Sequence, residues 1–333
     1  MKPGKDPLTL AALQKRFSDP ATCLAVLEKA RWPDGPVCPG CGVVNHASRI
    51  TTLPGRFTCL DCGKRFSVTA GTAMHNTHLP IATWIIAMYL IASSSKGISS
   101  LKLASLLGLQ YRTTWHLTHR IRAMMDSDPE LLEGIVELDE TCMGGKPRAS
   151  NKPQPPAPIP RFEEPKAEKP AKTDGRRKRK AGRGTDKPMA FTAVACGGFL
   201  RFSSVLSHGT NDFRPLVHAQ VDPTAIIATD ELPADIAIGR QQAGHIRVNH
   251  SAGEFVRTGE RTGLKVHVST AESVHAMFNR ALIDAWHQIS GKHTHRYLGE
   301  IEFRWNRREP LESRLAILFG TTSGPLPLKA LFA

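Results

Sequence analysis

Cys38, Cys41, Cys59 and Cys62 form two Cys-x-x-Cys pairs separated by seventeen residues, within "CPGCGVVNHASRITTLPGRFTCLDCGKRF". Each pair sets two thiols on a tight turn, and the residues between them can return as a hairpin that brings the pairs together. Four thiolates suit the tetrahedral preference of Zn²⁺. The spacing therefore predicts a structural zinc ribbon over residues 36–75. Disulfides or a redox pair are the competing readings, and two matched pairs argue against both. Cys23, Cys142 and Cys196 fall outside the pattern.

The 333 residues are enough for two or three domains. A formal charge of +14 favours an acidic partner such as nucleic acid. Yet residues 146–190 hold fourteen Lys/Arg against five Asp/Glu, nine of the net charges, and the other 288 residues carry only +5. Charge alone does not settle the partner. "MKPGKDPLTL" has no apolar run of the kind a signal peptide needs. The most apolar window, "LPIATWIIAMYLIA" (79–92), is too short for a bilayer and fits a buried helix. The expectation is a soluble cytoplasmic protein with no membrane partner.

"FSDPATCLAVLEKARWPDG" places Asp19 as a helix N-cap and Pro20 at the first helical position, giving a helical segment over 1–35. Residues 76–130 read as all-helical. In "GISSLKLASLLGLQYRTTWHLTHRIRAMM" the break at Gly108 and the polar start "QYRTTWH" fit a helix-turn-helix, whose second helix enters a DNA groove. Arg112, Thr113, His116, His119 and Arg120 would then face DNA; an ordinary helical hairpin is the alternative. From about 146 to 188, "PQPPAPIPRFEEPKAEKPAK" and "GRRKRKAGRG" read as a disordered basic, Pro-rich insertion able to grip DNA backbone without sequence preference.

After the insertion, "MAFTAVACGGFLRFSSVL" reads as two strands joined at Gly197-Gly198, "DFRPLVHAQV" as a helix and "TAIIATD" as a buried strand. Helices over Ser269–Gln288 and about 294–306 follow, the second with Leu298, Ile301 and Trp305 inward. Together with "GIVELDETCMGGKP", this order describes an α/β domain with a mixed sheet over 131–333.

Three carboxylates interrupt that first strand. Alternation puts Asp139 on one face with Glu137, and Glu140 on the other with Val136 and Leu138. Asp230 ends the buried strand "TAIIATD", where α/β sheets place ligand-binding groups. Glu272 lies in the first turn of a helix, where it also completes a capping box with Ser269. Each has a structural alternative: an edge-strand charge, a turn residue, a cap.

Read together, "RWPDGPVCPGCG", "CGKRFSVTAGT", "VELDETCMGG", "TDE", "HIRVNHSAGEFV", "AESVHAMFNRAL" and "HRYLGEIEFRWNRR" resemble the DDE-type transposases of bacterial insertion sequences, in the ISXO-like subgroup that carries a zinc ribbon. The resemblance implies an RNase H-like fold, with Asp139, Asp230 and Glu272 as catalytic acids holding Mg²⁺ or Mn²⁺, two ions in all. It implies cleavage of element ends and joining to target DNA, a double-stranded DNA partner, a homo-oligomeric active complex and a nucleoid-associated bacterial location. Arg112, His116, Arg120, Arg280, Arg304, Arg307 and Arg308 are the candidate DNA contacts. His245, Asn249, His250 and His267 match positions that recur in the family, with His267 a candidate support near the helix start. Two positions depart from the pattern: Asn279 stands where Lys is expected, with Arg280 beside it, and Ser269 where Asn is expected. These departures keep open a second reading, a catalytically weak or domesticated DNA-binding derivative.

Overall fold

The computed structural model describes residues 8–125, 130–143, 189–205, 210–230, 242–248, 256–258, 263 and 265–320. The expected basic insertion at 146–188, Asn249 and His250 lie outside them.

Two short helices open the described chain, α1 (Leu10–Arg16) and α2 (Pro20–Arg31). Asp19 caps α2 as the sequence requires, accepting from the backbone N–H groups of Ala21 and Thr22. The ribbon follows as an antiparallel sheet of β1 (Ala47–Arg49), β2 (Arg56–Cys59) and β3 (Arg65–Ser67). Its hairpin pairs Ala47 with Cys59, which returns the second cysteine pair to the first. Trp32, Phe57 and Phe66 pack ring against ring beneath it, with centroids 5.4–5.8 Å apart.

The helical region comprises α3 (Ile81–Ser93), α4 (Ser100–Leu107) and α5 (Tyr111–Ala123). The apolar window at 79–92 is the buried helix α3, and among the described residues no helix is long and apolar enough to cross a membrane. Gly108 ends α4 at φ 64°, a left-handed position that glycine adopts without a Cβ penalty. Two helices joined by a three-residue turn are present, but most of α5 is enclosed. Thr114 and every residue from Leu117 to Arg122 are buried, leaving Tyr111, Arg112 and Thr113 as its exposed turn. His119, offered as a DNA contact, is fully buried, and burial pushes its pKa down to about 2.

The second layer system is a five-stranded sheet of β4 (Ile135–Cys142), β5 (Met189–Ala195), β6 (Leu200–Val205), β7 (Ile226–Thr229) and β8 (Gly244–Arg247). Its order is β6-β5-β4-β7-β8, with β4, β5 and β6 antiparallel and β7 and β8 parallel to β4. That is the mixed sheet expected of an α/β domain. Helix α6 (Thr210–Gln220) covers one face, packing Phe213 and Val217 against Val136, Leu138 and Phe191. Helices α7 (Ser269–Ala281) and α8 (Thr294–Asn306) cover the other, with Val274, Phe278, Leu298 and Ile301 on Ala190, Val194 and Phe202. Covered on both sides, β5 is buried at all seven positions. The last described helix, α9 (Leu311–Gly320), leaves this unit and buries Leu315, Leu318 and Phe319 in the core shared by the ribbon and α3. A short pair, β9 (Arg257–Thr258) and β10 (Lys265–Val266), precedes α7.

Candidate active site

Alternation along β4 decides what each acid can meet. Val136 and Leu138 enter the α6 core, so Glu137 and Asp139 point to α7. Glu137 is fully buried. Its Oε2 accepts from the Ala271 backbone N–H at 2.9 Å, and its Oε1 lies 3.1 Å from His267 Nδ1 and accepts from the Cys196 thiol at 3.4 Å. Asp139 sits two residues on, its Oδ1 accepting from the Glu140 N–H at 2.8 Å and its Oδ2 lying 3.3 Å from His275 Nδ1.

The spacing explains why one strand holds the helix at two points. Two residues of strand advance about 6.8 Å, and the four residues from Ala271 to His275 advance about 6 Å along a helix. Strand and helix therefore run side by side in register, Glu137 on Ala271 and Asp139 on His275. Thr192, the antiparallel partner of Asp139, closes the second point with its hydroxyl 2.7 Å from His275 Nε2. Burial pushes the His275 pKa down to about 4, so the ring carries one proton near neutrality. Only one tautomer avoids setting a lone pair against the carboxylate: Nδ1–H donates to Asp139, and Nε2 accepts from Thr192.

The same contacts correct the expected capping box. Ser269 is the first residue of α7 rather than its cap, and Val268 in the cap position makes no side-chain bond. Ser269 Oγ lies 2.9 Å from His267 Nδ1. The acceptor for the first-turn donor comes from the sheet instead, as Glu137. Sequence alone showed Glu137 only as a strand neighbour of Asp139; the missed signal was a second carboxylate facing the helix side of a buried strand. His275 was also missed, although it stands three residues after Glu272, one turn away on a neighbouring face.

Asp230 follows β7, which pairs in parallel with β4 through Leu138 and Thr229. One step beyond that pair come Asp139, still within β4, and Asp230, the first residue past β7, on adjacent chain segments. Thr229 is fixed by His245, whose Nε2 lies 2.8 Å from its hydroxyl and whose pKa burial lowers. Glu272 is exposed in the first turn of α7. The three acids thus lie on β4, just past β7, and in the first turn of α7. Among the described residues, however, the four cysteines are the only group of three or more His, Cys, Asp or Glu whose ligand atoms all lie within 4.8 Å of one another.

That thiol cluster fits zinc. The Cys38–Cys62 and Cys41–Cys59 sulfurs are each 3.6 Å apart, and a tetrahedron with Zn–S arms of about 2.3 Å has edges of roughly 3.8 Å. Gly42 and Gly63, one after each pair, take φ 78° and 69° and turn their N–H groups back to the Cys38 and Cys59 carbonyls. Left-handed backbone at both positions is what glycine permits.

The proposed DNA-contact residues divide by burial. Arg112, Arg280 and Arg308 are exposed, and His116 and Arg307 half-buried. Arg120 and Arg304 are corrections. Arg120 is buried over the Trp84 ring and donates to the Ala73 and His75 carbonyls, tying α5 to the segment after the ribbon; burial lowers its pKa to about 10. Arg304 donates to Glu300 at 2.8 Å and to the Ser94 carbonyl, joining α8 to the end of α3, and desolvation lowers its pKa. Both guanidinium groups were drawn inward by acceptors from distant elements.

Comparison with known proteins identifies the family. Residues 131–306 match the model of the ISXO2-like transposase domain, and residues 18–65 that of the transposase zinc-ribbon domain. The chain is also similar to an uncharacterized protein in transposable element ISH50 of Halobacterium salinarum, 26% identical over 129 residues. That match covers 38% of this chain and 42% of the relative, less than half of its length. No solved structure matches. The first model spans more than half of the chain and contains all three acids, and the second contains all four cysteines. The chain belongs to the family of transposases with an ISXO2-like domain.

Proposed function

We propose that this protein cuts the ends of a mobile DNA element and joins them to target DNA, using Asp139, Asp230 and Glu272 as metal-holding acids. The observation that carries the reading is the tethering of α7 to β4, with Glu137 and Asp139 as its two fixed points. The Ala271 tether holds the first turn of α7, which carries Glu272, against the strand that carries Asp139. Their donor set is hard carboxylate oxygen, which suits Mg²⁺ or Mn²⁺. Bound by these three residues, two such ions would polarise the attacking oxygen and stabilise the leaving one during displacement at phosphorus.

The chain's own groups prepare that chemistry. His275 and the Glu140 N–H hold both oxygens of Asp139 in place, and Thr229, fixed by His245, sets the strand from which Asp230 emerges. Water attacks the phosphodiester at an element end; the bond to the 3′ oxygen breaks and leaves a 3′-hydroxyl. That hydroxyl attacks a target phosphate, one P–O bond forming as another breaks, with no covalent protein intermediate. The partner is double-stranded DNA, the location the bacterial cytoplasm at the nucleoid, and the active complex a homo-oligomer, since two ends must be processed together.

The second reading, a DNA-binding derivative without cleavage, is favoured by Asn279 and Ser269, the two departures from the family pattern. One assay separates them: purified full chain, DNA carrying the element's terminal repeat, and Mg²⁺. Nicking at the repeat boundary that disappears in Asp230→Ala supports the transposase. Specific binding with no nicking supports the derivative.

A further inference from the structure

Away from the acids, α4, α5 and the turn after α7 enclose a cavity of about 440 Å³ lined by Ser100, Tyr111, Trp115, Arg122, Trp286 and Tyr297. Three features set it apart from ordinary packing. The first is a set of donors without acceptors. Nη1 and Nη2 of Arg122 and Nε1 of Trp286 are buried with no hydrogen-bond partner among the described residues. Arg122 is 2% and Trp286 8% exposed. Leaving a buried donor unmade is costly, and such a group calls for an acceptor from outside the protein.

The second feature is charge. Glu300, fully buried, accepts from Arg122 Nε at 2.7 Å and from Arg304 Nη1 at 2.8 Å. Two guanidinium groups share one carboxylate, which leaves the place net positive. The third is the wall. The Trp286 and Tyr297 rings meet edge to face at 4.9 Å, and the Arg122 guanidinium lies 4.1 Å over Tyr297. At the mouth Tyr111 is 54% exposed. The backbone that presents Trp286 is also unusual: Leu282–Trp286 is a π-helical turn that ends at His287 with φ 57°. Sequence had continued the α-helix to Gln288. A π turn closed by a non-glycine left-handed residue is costly and recurs at functional sites.

A ligand for this cavity must offer hydrogen-bond acceptors, bring negative charge and present a flat ring. We infer that the cavity receives one unpaired nucleotide of DNA. Its base lies against the wall of Trp115, Trp286 and Tyr297, and its phosphate answers the net positive charge that Arg122 and Arg304 leave beside Glu300. Stacking on aromatic rings tolerates any base, so the site reads an unpaired state rather than a sequence. The inference rests on the proposed DNA-processing role and extends it. Trp286 lies fourteen residues beyond Glu272, about 20 Å along a helix axis, so the captured nucleotide would be a few positions from the cut.

The test uses the full chain and two duplexes of one sequence, one fully paired and one with a single bulged 2-aminopurine. The parent is expected to bind the bulged duplex about tenfold more tightly and to quench its fluorescence. Trp286→Phe removes only the indole N–H and some ring area. Gln288→Trp, at an exposed lining position, fills the mouth without touching the core. Each should bring the preference down to about twofold or less, with paired-duplex affinity unchanged. If Trp286→Phe fails to fold, Gln288→Trp decides. Equal affinity of the parent for both duplexes, or a preference intact in both variants, overturns the pocket while leaving the DNA reading standing. Failure to bind either duplex overturns both.

Discussion

The ribbon and the proposed acid site organise their side chains in opposite ways. The four cysteines fall within twenty-five residues, on two glycine-terminated turns joined by one hairpin, and their sulfurs already stand at tetrahedral spacing. The three acids span 134 positions, from Asp139 to Glu272, and sit within one strand, just past a second and on a helix from separate parts of the chain. Local chain geometry builds the first site. The second depends on side chains that are not ligands, Glu137 and His275, pinning a helix to a strand. Damage to the ribbon should therefore be met at the ligands, whereas the acid site should also fail through its supports.

The largest effect expected is from Cys59→Ser. Metal binding supplies roughly 10–16 kcal/mol to folding of zinc modules, so the variant should lose its one zinc per chain and the β1–β3 protection against amide exchange. Full zinc content would break the comparison at its firmer end. Cys23, Cys142 and Cys196 should be replaceable without loss of zinc.

Next come the acids themselves. Asp139→Ala, Asp230→Ala and Glu272→Ala should each lower Mg²⁺-dependent strand cleavage by about 10²-fold or more, because small displacements at a reacting phosphate cost that much. Binding to element ends should stay within about twofold of the parent. Glu272→Gln is the sharper probe. Glu272 is not needed to cap α7, since Glu137 does that, so a cleavage rate equal to the parent's would remove it from the acid set.

Glu137→Ala tests the supports. It strands the Ala271 N–H in a buried place, at a cost of about 1–3 kcal/mol. We expect a lower melting temperature, faster amide exchange over 269–281 and slower cleavage, with Glu137→Gln recovering much of each by keeping an acceptor. Unchanged exchange in the alanine variant would show that the helix is held by packing alone. Thr192→Val is smaller, about 1 kcal/mol for one hydrogen bond; it frees His275 Nε2 and should reduce cleavage more than stability.

Smallest of all should be Arg308→Ala. Exposed beside Trp305, it should change stability by less than about 0.5 kcal/mol and lower the salt slope of DNA binding by about one. The buried Arg304→Ala should do the reverse, destabilising the seam between α3 and α8.

The sequence by itself determined whatever is encoded within a turn or along one strand. Cysteine spacing gave the ribbon, Asp19 and Pro20 the start of α2, and alternation in "VELDE" the shared face of Glu137 and Asp139. Motif order alone was enough to point to the family that residues 131–306 match. Tertiary structure decided the fate of long or charged side chains. Arg120 and Arg304 have the same local signature as Arg112 and Arg308, a basic residue on a helix, yet they are buried because backbone carbonyls from remote segments meet them. Glu137 became the cap of α7 and displaced Ser269 because the sheet delivers an acceptor to that helix end. The physical reason is range: turns, caps and alternation are settled among neighbours in the chain, whereas burying a charge is settled by whichever partner the fold brings to it.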